Sequence, residues 1–137
     1  MKSLRVWIVL SWILLPAVMF GGTLLLRRVS LGDPTAFQAT WVRAFHAHGG
    51  VLMMMAILYY MFLDRTALSD SVKRWTSLAL FAGIGGLAGG FLLHAIVGQP
   101  HQLSIGTLMA YGGAALIASA LVVLIYGLIT TPAAPHS

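Results

Sequence analysis

The 137-residue chain has no cysteine, only three acidic residues, and few charges of any kind, 8% of the total. The lack of cysteine excludes disulfides, thiol catalysis, iron–sulfur ligation and thioether attachment of a c-type haem. Any metal bound here must use imidazole, thioether or oxygen. The three carboxylates, Asp33, Asp64 and Asp70, all fall between apolar stretches, so no buried carboxylate pair supports a dinuclear centre or an acid–base couple. Glycine-rich phosphate-binding motifs are absent as well. The net charge of +5 comes from eight Lys and Arg residues divided between the two ends of the apolar stretches, which suits lipid headgroups and not nucleic acid.

What the chain does have is apolar surface. At 59% hydrophobic residues and a mean hydropathy of +0.91, it holds too little polar surface to coat a soluble globule. Four apolar runs, Val6–Leu26, Ala44–Leu63, Leu78–Val97 and Leu103–Ile129, each approach or exceed the ~20 residues that cross a bilayer as a helix. Links of about 17, 14 and 5 residues leave no room for a second domain. The expectation is an all-α, integral membrane four-helix bundle, up-down-up-down, forming one domain over residues 1–137. Lys2 and Arg5 before the first run are reminiscent of a signal peptide, but the run is long and PAVMFGG offers no clean small-x-small cleavage site, so a retained helix is expected.

Basic residues set the expected orientation. Lys2, Arg5, Arg65, Lys73 and Arg74 fall on one side and Arg27, Arg28 and Arg43 on the other, which predicts both termini on the cytoplasmic side of an inner membrane. Trp41, Trp75, Tyr59, Tyr60 and Tyr126, near the ends of runs, read as interfacial anchors. His136 belongs to a Pro-containing tail with no expected role.

The other four histidines carry the chemistry. His46 and His48 open the second run, His94 closes the third and His101 follows in GQPHQ, so antiparallel neighbours bring all four to one membrane face. With the second span starting at Ala44, His46 and His48 lie about 3 and 6 Å inside the apolar layer and His94 about 4–5 Å, at matching levels. Residues at i and i+2 point about 200° apart on a helix, so either His48 or His46, not both, joins His94 at one ion, and His101 is peripheral. An ionisable group inside an apolar span is a functional candidate by default. Arg43, one turn before His46, suits an anionic group such as a haem propionate, or simply snorkels to water.

On the third run Gly86, Gly90, His94 and Gly98 recur every four residues. Such a stripe either packs closely on another helix or leaves space beside His94, at Gly90, for a flat macrocycle. Gly106, Ala110 and Gly113 on the fourth run are similarly small.

The segment RAFHAHGGVLMMMAILYY, residues 43–60, resembles the second helix of the catalytic subunit of haem–copper oxidases and nitric oxide reductases, through its His48-Gly49 step and the methionine-rich run that follows. The chain is also similar to small four-span bacterial membrane proteins with His-x-His at the start of a helix. The first resemblance implies that His48 is an axial haem ligand with His94 as its partner; it implies no oxygen reduction, because the chain lacks that family's twelve or so spans and its three-histidine copper site.

Three classes of function follow. One is a b-type haem protein transferring electrons near the outer face, with quinol or a redox protein as partner and His46, His48, His94, Arg43 and Gly90 around the cofactor. A second is a cofactor-free accessory or assembly subunit whose glycine stripe docks on a larger membrane complex or on another copy. The third is a copper-binding membrane protein using His46, His48, His94 or His101 with thioethers such as Met53.

Overall fold

The structure is a computed structural model that describes residues 2–132; His136 lies outside them. It consists of four long helices, α1 (Lys2–Ser30), α2 (Ala36–Asp64), α3 (Asp70–Val97) and α4 (Ile105–Thr130). All four are long and apolar enough to cross a membrane. The chain is an all-α, up-and-down bundle and an integral membrane protein.

The first three helices are longer than the apolar runs because capping signals, not hydropathy, set their ends. At the end of α1, Gly32 adopts a left-handed φ of 74°. Its N–H donates to the Val29 carbonyl and that of Asp33 to the Arg28 carbonyl, which closes the helix as a Schellman motif. Pro34 follows, and Thr35 starts α2 in a capping box with Gln38. LGDPTAFQ therefore reverses the chain in five residues, where hydropathy alone leaves a 17-residue link. Ser69 caps α3 by accepting from the Val72 N–H, with Asp70 favourable at the positive end of the helix dipole. The second link is thus also five residues, with the Ala67 N–H tied to the Thr131 hydroxyl at the far end of α4.

Viewed along their axes the helices form a rhombus. α2 and α3 sit on the short diagonal, each touching all others, while α1 and α4 occupy opposite tips and do not touch. The α3–α4 seam is the closest, because glycines alternate across it. Cβ atoms added at Gly83, Gly86 and Gly90 would meet the α4 backbone around Gly113, Met109 and Ala110, at 2.6 Å from the Ala110 nitrogen and the Gly106 carbonyl oxygen in the case of Gly90. The stripe is therefore helix packing within the chain. It leaves no space for a macrocycle beside Gly90, and none of its Gly86–Gly90 face for docking on a partner.

Toward the Tyr59 end of the bundle the core gathers Leu4, Tyr60, Leu63, Leu80, Ile84, Ala120 and Leu124. Tyr59 and Tyr60 are 2% and 0% exposed. The Tyr59 hydroxyl bonds to the Thr76 hydroxyl at 2.8 Å and donates to the Ala120 carbonyl at 3.1 Å, and Tyr60 donates to the Ser77 carbonyl. They are core residues and not interfacial anchors; Trp75 and Tyr126 remain exposed near helix ends as anchors are.

Candidate functional site

The histidines separate into different environments. His94 is 4% exposed on α3. Trp41 presents its ring at 88° to the imidazole with centroids 4.5 Å apart, and Phe37 flanks it at 5.3 Å. Across the seam Gly106 lies against the His94 backbone, and Gly98 against its ring, so neither position has room for a Cβ.

The α4 cap holds one nitrogen of this imidazole. Nδ1 of His94 is 2.7 Å from the Ser104 hydroxyl and 3.2 Å from that of Thr107. Ser104 is the N-cap of α4, and its oxygen already accepts from the N–H groups of Gly106 and Thr107. Its own proton is left to donate, so Nδ1 accepts and Nε2 carries the hydrogen. No buried side-chain nitrogen or oxygen lacks a partner among the described residues, so Nε2, which has none among them, is not sealed off.

The imidazole lines a cavity of about 510 Å³ with Phe37, Trp41, Pro100, His101, Gln102, Leu103 and Thr107. His101, with φ of 60°, is exposed in the α3–α4 link. Thus the histidine expected to be peripheral is the one that shares a cavity with His94.

His48 lies on the same side of α2, but at another level. Trp41 stands opposite His94, and His48, seven residues further along, stands opposite Phe91 at 5.0 Å. Seven residues advance about 10 Å along a helix axis. The levels therefore do not match: the Thr35 cap starts α2 well before Ala44, and interlocking side chains set the stagger. His48 is exposed, and its Nδ1–H donates to the Ala44 carbonyl at 2.9 Å, which leaves Nε2 as a free lone pair.

His46 faces the other way. Its half-buried ring covers Gly22 of α1, where any Cβ would overlap it. Arg43 lines a crevice with Gly22, Leu25, Leu26 and Val29, also on the α1 side. Arg43 is thus turned away from both His48 and His94. Met53 is buried in the core, about 10 Å along the axis from His46, too far to share an ion with it.

Among the described residues no three His, Asp or Glu side chains gather where they could hold a metal. Metal–imidazole bonds are about 2 Å long, so His48 and His94 at levels about 10 Å apart do not fit the two faces of one haem iron within a single chain. What the sequence reading misses is Phe37, Gln102 and Thr107 in the lining of the His94 cavity and the Ser104 hydroxyl on its Nδ1. The Thr35-x-x-Gln38 and Ser104-x-x-Thr107 spacings are the signals that locate two of its walls.

Comparison with protein-family models, with curated proteins and with solved structures finds no match.

Proposed function

We propose that this integral membrane protein binds the head group of a quinone or quinol in the His94 cavity and so serves electron transfer in the bilayer. The observation that carries the reading is the His94 imidazole: nearly fully buried, fixed at Nδ1 by two hydroxyls, and left with Nε2–H as a donor among aromatic walls. A quinone is a planar ring with carbonyl oxygens at opposite edges and an apolar tail. Nε2–H suits one carbonyl, the Gln102 amide or the His101 ring at the rim suits the other, and Trp41 and Phe37 flank the ring plane. Phe91 and His48 continue this surface further along the α2–α3 seam, toward the apolar layer where a tail would lie.

Fluorescence of a variant retaining Trp41 alone (Trp7→Phe, Trp12→Phe, Trp75→Phe) tests this. A short-chain quinone is expected to quench it saturably, and His94→Ala to weaken the affinity about tenfold, the worth of one hydrogen bond in an enclosed site. Quenching that never saturates, or that His94→Ala leaves unchanged, refutes the reading.

A second reading, b-type haem, has one supporting observation. The His48 imidazole has its Nδ1–H on a backbone carbonyl and its Nε2 lone pair free, as an axial ligand requires. This chain would then supply one ligand only, and a second copy or a partner the other. A Soret band in protein purified in mild detergent, lost on His48→Ala, tests it; a colourless, iron-free protein refutes it.

A further inference from the structure

Arg43 and His46 stand three residues apart on the face of α2 that packs on α1. The crevice that Arg43 lines, about 210 Å³, has otherwise apolar walls and no carboxylate. Leu25 separates it from a second cavity of about 430 Å³ that contains Arg28, Gln38 and Asp33 over a floor of Val42, Leu92, Ala95 and Ile96. Two arginines therefore flank one leucine at this end of the α1–α2 seam, with a single carboxylate between both cavities. Arg43 directly precedes the apolar run from Ala44, which puts its guanidinium at headgroup depth. Below it, Met19, Phe20, Leu24 and Leu26 leave α1 broadly exposed and apolar.

We propose that the α1–α2 seam at this end binds the phosphate of an anionic phospholipid, held by Arg43 and His46 with Arg28 beside them. The guanidinium offers paired donors to phosphate oxygens, and the imidazole adds another donor one turn deeper. Gly22 lets the His46 ring sit against the α1 backbone, which keeps it in the seam. The acyl chains lie along the exposed side of α1. A lipid is favoured over a soluble anion because the walls beside the arginines are apolar.

Native mass spectrometry of the full chain from mixed micelles tests this. With phosphatidylglycerol or phosphatidylcholine as probe at equal amounts, phosphatidylglycerol is expected to be retained at least tenfold better, one per chain. Arg43→Gln and Arg28→Gln should each lower retention about fivefold, the effect of about 1 kcal/mol per basic residue at an anionic surface. Gly22→Ala should lower it too without changing the charge, because the added methyl displaces the His46 ring. Thermal unfolding in the same detergent confirms that each variant is folded. Equal retention of the two lipids overturns the proposal, as does an equal loss from Arg65→Gln at the opposite end of the bundle. Displacement of phosphatidylglycerol by inorganic phosphate at equal concentration overturns the lipid assignment in favour of a soluble anion.

Discussion

Gly90→Ala is the most direct test of how the glycine stripe is used. A Cβ at this position would stand 2.6 Å from the Ala110 nitrogen and the Gly106 oxygen and 2.9 Å from the Ala110 Cα. Ordinary contact starts near 3.4 Å, so the deficit is about 0.8 Å, and every clashing atom is backbone that no rotamer change can move. The helices must part along a seam where Gly83, Gly86, Gly106 and Gly113 also sit in close contact. A gap of 0.5–1 Å forfeits roughly a quarter to a half of each contact's dispersion energy, and overpacking of this kind costs about 1–3 kcal/mol. Against this stands the gain of about 1 kcal/mol when alanine replaces glycine in a helix. Gly85 isolates that gain, since a Cβ there meets nothing within 4 Å. Gly85→Ala should therefore be neutral or up to about 1 kcal/mol stabilising, and Gly90→Ala neutral to about 2 kcal/mol destabilising. The difference, about 1–3 kcal/mol, is a roughly 5- to 150-fold change in the unfolding equilibrium. Denaturant titration in detergent micelles or bicelles, followed by tryptophan fluorescence, measures it. If Gly90→Ala proves as stable as Gly85→Ala, the stripe is not the packing surface described and space beside it must be reconsidered.

Three further outcomes follow from the same geometry. Ser104→Ala removes the α4 N-cap and one hydroxyl from His94, and should cost about 1 kcal/mol in the same titration while weakening quinone binding. Tyr59→Phe strips partners from the Thr76 hydroxyl and the Ala120 carbonyl and should cost about 1–2 kcal/mol, with no change in quinone affinity, since the pair lies at the other end of the bundle. If purified protein shows a Soret band, His94→Ala should leave it in place, because the hydroxyls hold its Nδ1 and it lies at another level; a band lost with His94→Ala would contradict the register of α2 on α3.

Hydropathy made the four spans and the up-and-down order readable, since short links between membrane-length helices force antiparallel neighbours. It misplaced the helix ends because the first turns of α2 and α3 carry Gln38, Thr40, Arg43, Lys73 and Arg74, which lower hydropathy without interrupting a helix. Those ends were written in another code, the Gly32 and Pro34 punctuation and the Thr35 and Ser69 caps. Candidate ligands were found by residue type, and His94 does line a cavity at its end of the bundle. Which histidine accompanies it was not readable from spacing. That depends on the stagger of α2 against α3, set by Trp41 meeting His94 and Tyr59 meeting Thr76, contacts between residues 53 and 17 positions apart. The orientation of Arg43 was open to helix geometry only once the α1-facing side of α2 was known.

The tips of the rhombus have unequal duties. α1 has only 6% of its apolar window buried, and no residue before Phe37 lines the His94 cavity. Changes along the outward side of α1 can follow the thickness and composition of whatever bilayer surrounds it while the walls around His94 stay intact. The residues packed around His94 have no such latitude, since the Trp41 indole, the Gly98 and Gly106 backbone and the Ser104 hydroxyl all fix one imidazole. The chain thus separates adaptation to its solvent from the packing that fixes His94, and the division falls at the short turn around Gly32.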